Sequence, residues 1–405
     1  MQNGEHPGVK DALKKAGTYG PDVDLDDYKV GSSDTGRIDD LEKADETTKD
    51  LMVNVGVVAD ESERDGSIIF IDNGMSHCSN KTEDGVELMS TRDAVAKYDW
   101  LKDYFWKAMD PEKDKFTAKT YLEESDGYFI RVKKGYHAKN PVQTCMLLKN
   151  KNTMQNLHNI IIVEEDASLE IITGCTTDRH ANNALHIGVS EIYVKDGGSL
   201  SFSMIHNWGS DTVVRPRTAC ILGKDAKYVN NYVILNPVGT LQSFPVTYLN
   251  GEGASCKYNT ICLAHKDSNI DTGGAVVMNA PYTSAEIMSR SLNKGGKMIA
   301  RGRLSGNAEK VKAHLECRSI VLEDGGLTLA VPELESTVAD VEMTHEAAVG
   351  KIDRDQIEYL MSRGLTEDDA VSMIVRGFLV GGIKGLPENL KREIDDAVEK
   401  ANLGN

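Results

Sequence analysis

The chain has 405 residues, 40% of them hydrophobic and 27% charged, with a formal net charge of −17. That is the composition of a globular protein, and the acidic excess argues against nucleic acid or an anionic membrane surface as partner, since both are bound through positive charge. No apolar run approaches the roughly 20 residues that cross a bilayer. The opening "MQNGEHPGVKDALKKAG" lacks the apolar core of a signal peptide, so a cytoplasmic location is expected.

Residues 1–125 read as helical and mixed. "TRDAVAKYDWLKDYFWKAM" spaces Ala94, Val95, Tyr98, Leu101, Tyr104, Phe105 and Met109 as one helical face, with Thr91 as its cap. Its aromatics are expected to be packing residues. Residues 126–337 change character. β-branched residues dominate, turns carry Gly, Asp and Asn, and short alternating runs such as "GYFIRVKKG", "LEIITGC" and "SEIYV" recur.

Within this span "EDASLEI", "DGGSLSF", "KDAKYVN" and "GEGASCKY" align so that Leu169, Leu200, Tyr228 and Cys256 are equivalent, at steps of 31, 28 and 28 residues. A strand-and-turn repeat of this period predicts a β-solenoid whose coils bury their faces on one another, with a β-sandwich as the competing reading.

Residues 338–405 carry "VEMTHEAAVGKID" at 341–353 and then turn helical. Asp353 and Gln356 make a capping spacing before Ile357, Leu360 and Met361, and Gly364 stops that helix. Thr366 and Asp369 open a second, closed by Gly381-Gly382. Pro387 opens a third, with Leu390, Ile394 and Val398 on one stripe. Helices this short must dock on the β region or on a partner.

The seven cysteines, at 78, 145, 175, 220, 256, 262 and 317, are scattered and form no CxxC pair. This fits neither a disulfide framework nor a zinc knuckle and suits a reducing compartment. Most are expected to be small core residues.

Two segments carry a resemblance. They are "IITGCTTDRHANNALHIGVSEIYVKDGGSLSFSMIHNW", and the stretch from "AHLECRSIVLEDGG" through "MTHEAAVGKIDRDQIEYLMSRGLTEDDAVSMIVRGFL". Both are similar to the SufB/SufD family of iron–sulfur cluster assembly scaffolds, with "DQIEYLMSRG" and "MIVRGF" the most specific parts. The resemblance implies a mainly β fold, a right-handed parallel β-helix core flanked by N-terminal and C-terminal helical domains.

It also implies a non-enzymatic scaffold that assembles a transient iron–sulfur cluster at a dimer interface and passes it to apo-proteins. The implied partners are a SufC-type ABC ATPase docked on the C-terminal helices and a sulfur donor protein. The subunits would form a homodimer or a SufB/SufD heterodimer. No GxxxxGK[ST] phosphate loop occurs, and "NKGGKM" is not one, so ATP chemistry must come from a partner. Deleting residues 352–405 is expected to abolish ATPase binding.

Iron favours thiolate, with imidazole and carboxylate as more labile ligands. Cys317 resembles the family's assembly-site cysteine. Glu346 resembles its glutamate, and His345 the histidine that a partner subunit supplies. Neighbouring residues on a strand point to opposite faces. His345 and Glu346 therefore should not both aim at one site from one chain, whereas in a two-fold dimer Cys317 and Glu346 of one protomer would face His345 of the other.

Cys175 resembles a second family cysteine that accepts sulfur inside the β-helix. The run "LEIITGC" puts Leu169, Ile171, Thr173 and Cys175 on one, interior face. His186 and His206 are expected to be structural or accessory. His314 should face away from Cys317 and is not expected as a co-ligand.

One departure matters. Thr344 stands where SufB sequences carry glutamate, and Ala-Val-Gly follows in the manner of SufD. The early cysteine-rich motif of SufB is also missing. The mixture points to a single-gene, homodimeric version. Two other readings are a zinc-binding interaction protein using Cys317, His345 and Glu346, and a β-solenoid carbohydrate-active enzyme, which needs paired carboxylates on one strand face.

Overall fold

The structure is a computed structural model that describes residues 6–82, 84–381, 391–392 and 394–395. Its core is a β-solenoid of about eight turns, with 46% of residues in strands. One wall is a ten-stranded sheet: β1 Gly66–Ile71, β2 Gly74–Asn80, β3 Val142–Leu148, β4 Ser168–Thr177, β5 Ser199–Asn207, β6 Lys227–Ile234, β7 Ser255–His265, β8 Ser284–Lys294, β9 Val311–Glu323 and β10 Val341–Gly350. Its spatial order is β10-β9-β8-β7-β6-β5-β4-β3-β1-β2, and a twelve-stranded sheet forms the other side.

The sequence repeat is the coil repeat. Leu200 lies opposite Leu169 on one side and Tyr228 on the other, and Tyr228 lies opposite Cys256. Each coil turns the same corner through a residue in the left-handed region, at Asp166 (φ 53°), Gly197 (φ 68°), Asp225 (φ 53°) and Gly253 (φ 72°). Asp tolerates that conformation and Gly adopts it freely, which is why acidic-Gly turns recur in the sequence. Stacking also builds side-chain ladders: Asn259 Nδ2 donates to Asn231 Oδ1 at 2.8 Å, and Asn231 Nδ2 to Ser203 Oγ at 3.0 Å. The lumen is filled by Leu169, Ile171, Phe202, Tyr228, Tyr258, Ile287, Leu315 and their neighbours, all buried.

The ladders run beyond residues 126 and 337. At the first end β1 pairs parallel with β3 and antiparallel with β2, and Val86–Ser90 runs antiparallel to Tyr128–Val132. At the other end β10 pairs with β9. The single long helix expected from Thr91 is instead a short one, Thr91–Lys97, capped by Ser90, followed by a 3₁₀ turn Asp99–Asp103.

The reason lies across the chain. The backbone N–H groups of Trp106, Ala108 and Met109 donate to the buried Glu191 carboxylate at 2.6–3.1 Å, and Trp106 has φ +58°. Those donors are no longer free for a helix.

The C-terminal helices are Arg354–Ser362 and Glu367–Val380, capped by Asp353 and Thr366. Asp353 accepts from Asp355 N, and Gly364 follows the first helix with φ +99°. Val375 and Leu379 pack with Ile261, Leu263 and Leu292, so the second helix covers the outer face of the ten-stranded sheet. The helix expected from Pro387, with Leu390 and Val398, lies outside the described residues apart from 391–392 and 394–395, where Ile394 is buried in the same cluster. Among the described residues no helix is long and apolar enough to cross a membrane.

Candidate functional site

β9 alternates strictly. Val311, Ala313, Leu315 and Cys317 face the lumen, and Lys312, His314 and Arg318 face outward. β10 repeats the pattern with Val341 and Met343 packed on the lumen core. The ladder sets Leu315 opposite His345, Glu316 opposite Glu346 and Cys317 opposite Ala347. The offset is thus 30 residues, so partners 30 apart share a face.

Glu346 is 29 residues from Cys317 and falls on the other face. The expected grouping of Cys317 with Glu346 from one chain is therefore not what the strands present; His345 shares the face of Cys317. The separation of His345 from Glu346 agrees with strand alternation.

Cys317 is 3% exposed. Burial, with Glu316 adding to it and Arg290 opposing, pushes its thiol up to about 11. It is a protonated thiol at neutral pH, and a metal must displace that proton to bind. His345 is exposed, since among the described residues no strand pairs with the outer edge of β10. Leu334, 40% exposed, and Val349, 50% exposed, also continue lumen-facing positions past the last covered coil.

The outward face carries a polar network that the sequence reading missed. Arg290 pairs with Glu316, whose carboxylate also meets Arg318 Nε at 3.1 Å, and Arg318 Nη2 reaches Glu346 Oε1 at 2.5 Å. His314 faces away from Cys317, as expected. Its Nδ1 lies 2.8 Å from Thr344 Oγ1, and ligand atoms of His314, Glu316 and Glu346 lie within 4.8 Å of one another. The 28- to 31-residue steps were the available signal, since they stack Glu316 on Glu346 and His314 on Thr344. Arg290 also lies over the Phe378 ring at 5.8 Å, tying the C-terminal helix to this network.

Cys175 sits deep in the lumen, 2% exposed, on the face with Leu169 and Ile171. Its rung neighbours are Met146 and His206. Burial drives its thiol far above the ordinary value. His206 Nδ1 lies 2.9 Å from the Tyr232 hydroxyl, while His206 Nε2 and Trp208 Nε1 are buried without partners. His186 stacks on Trp208 at 5.0 Å, and burial holds it down at about 3. Both histidines are neutral in the fold.

The family model for the SUF system FeS cluster assembly, SufBD core domain, matches residues 146–378, more than half of the chain. The chain belongs to the SufBD family. It is similar to an iron–sulfur cluster assembly SufBD family protein of Methanothermobacter thermautotrophicus, 43% identical over 95% of this chain and 97% of that one. A protein of the same description from Archaeoglobus fulgidus is 44% identical over 87% and 95% of the two chains. Iron–sulfur cluster assembly protein SufB of Bacillus subtilis is 32% identical over 74% of this chain and 65% of its own length. The matched SufBD core spans β4 to β10 and both C-terminal helices, and so contains Cys175, Cys317, His345 and Glu346.

Proposed function

We propose that this SufBD family chain is a non-enzymatic scaffold of the SUF machinery that builds a nascent iron–sulfur cluster and passes it to apo-proteins. The observation that carries the reading is the open end of the solenoid. There Cys317 and His345 share the lumen face, beside a last coil whose lumen-type residues are exposed. A coil with no successor among the described residues, ending in an edge strand, presents apolar surface and free backbone groups to a partner. A second copy fits this end, giving a homodimer with the cluster as cargo at its interface.

Cys317 is the anchor and His345 the second ligand. Glu346 lies one residue on, on the outer face, where it pairs with Arg318 and supports the site from outside the lumen. Mixed thiolate and imidazole ligation holds a cluster less tightly than four thiolates, which suits transfer. Cys175, guarded in the lumen, is the sulfur acceptor, loaded by a sulfur donor protein. The C-terminal helices dock a SufC-type ABC ATPase, and their exposed Tyr359 and Met373, 59% and 51% accessible, are the contact residues. The cytoplasm, with its reduced thiols, is the fitting compartment.

The test is anaerobic reconstitution with iron and sulfide, reading iron, acid-labile sulfide and the visible charge-transfer absorption. The wild type is expected to hold a cluster and Cys317→Ser to lose it. A wild type that holds none even with its ATPase and ATP overturns the reading.

A further inference from the structure

On the outer face of the twelve-stranded sheet, basic side chains gather in an otherwise acidic protein. Parallel register sets Gly273 beside Arg301 and, two residues on, stacks Ala219, Val246, Ala275 and Arg303 on one rung, and Arg217 and Phe244 come to the same place as Arg301. The segment Ala16–Thr18 and Lys113 close over them to leave a cavity of about 120 Å³, which Arg217, Arg301, Asp114 and Gln242 also line.

Some of this charge is matched. Arg217 Nε donates to Asp114 Oδ2 at 2.6 Å, Arg301 Nε to Asp271 Oδ1 at 2.5 Å, and Lys115 pairs with Asp22 at 2.9 Å. Three cations are left over among the described residues, Lys113 in the lining and Arg215 and Arg303 beside it. Arg215, 1% exposed, donates only to the carbonyls of Pro21, Val214 and Thr240. Arg303 Nε is buried without an acceptor. The Lys113 ammonium meets no carboxylate; the residue is exposed at the mouth, and partial loss of water, then Arg217, Arg301 and Arg303, hold it below its usual range against the pull of Asp114. Burial and Arg217 likewise bring Arg215 down to about 10.

Burying unmatched charge is costly unless a counter-ion completes the site. The site is also held rigid. Arg301 lies over Phe244 at 4.1 Å and Tyr19 at 4.9 Å, and Arg217 over Phe116 at 4.8 Å. Gly17 lets the backbone come close, since a Cβ there would lie 2.1 Å from Gln242 Oε1. Oriented guanidinium groups with one lysine at the mouth are the donor set for a tetrahedral oxyanion.

We propose that this cavity binds a phosphate-class oxyanion, either free phosphate or the phosphoryl head of a small phosphomonoester, which locks the N-terminal segment onto the solenoid. The volume suits one such group, not a nucleotide base.

The test is calorimetric titration of the full chain with inorganic phosphate and, separately, glycerol phosphate, at constant ionic strength and against a chloride control. Saturable binding is expected, with a matching rise in thermal midpoint. Lys113→Gln and Arg303→Gln, which break no ion pair, should each weaken it by about tenfold. Binding of phosphate alone assigns the free anion; comparable binding of glycerol phosphate assigns a phosphoryl head. No saturable binding by the folded wild type, or equal binding by both folded variants, overturns the proposal and leaves the cluster as a clamp between chain segments only.

Discussion

The two ends of the solenoid are finished differently. At the first, the chain folds back on itself: β1 and β2 form an antiparallel hairpin, and Ile68, Ile69 and Phe70 are fully buried. At the last, β10 is an edge, and lumen-facing Leu334 and Val349 stand 40% and 50% exposed. One end is capped by its own sequence, and the other, among the described residues, ends in an open edge. The thiol we assign to cluster assembly lies on β9 beside the open end, while Cys175 lies in a coil covered on both sides.

This contrast makes graded predictions. Phe70→Ala at the capped end should cost about 3–5 kcal/mol, read as a fall in denaturation midpoint. Val349→Ala at the open end should cost less than about 1 kcal/mol in the same measurement, because half of the side chain is already in solvent. Equal losses at both ends would mean that the last coil is covered within the chain. Tyr359→Ala with Met373→Glu should weaken ATPase binding by about tenfold with the melting temperature unchanged, since neither side chain is buried. Removing the whole helical end is a poorer test, because Val375 and Leu379 belong to the packing of the sheet.

A smaller effect sharpens the chemistry at the open end. The Cys317 thiol is raised in the fold from its ordinary value of 9.0 to about 11. A raised value favours the protonated folded form. Its contribution is therefore complete below pH 9 and is lost as pH climbs towards 11. Denaturation across that window should show the apo wild type losing stability faster than Cys317→Ala. Arg318→Ala should change stability by only about 1 kcal/mol, because its pair with Glu346 is half exposed and the buried Glu316 keeps Arg290 as its partner.

The coil repeat was legible in the sequence, down to the equivalence of Leu169, Leu200, Tyr228 and Cys256, because each coil spends the same residues on a lumen face and a turn. The inward placement of Cys175 was legible by alternation alone. The first cap was missed, although "IIFIDNGM" carries a hairpin turn at Asp72 and Asn73. The helix from Thr91 was overextended because the partner of its backbone donors, Glu191, lies some 85 residues away. The grouping of Cys317 with Glu346 failed on parity. Coil steps vary between 28 and 31 residues, so only the ladder reveals that β9 and β10 are offset by 30. The same unknown offset hid the Arg290–Glu316–Arg318–Glu346 network.

The most direct test of the open end is Val349→Glu, which puts a charge on the exposed lumen face of β10 without touching a proposed ligand. Its mass in solution and its iron and acid-labile sulfide after anaerobic reconstitution would be measured together. The account predicts a folded monomer that holds no cluster, beside a wild-type dimer that does. A Val349→Glu monomer with the wild-type complement of iron and sulfide would contradict it, because the site would then be complete within one chain.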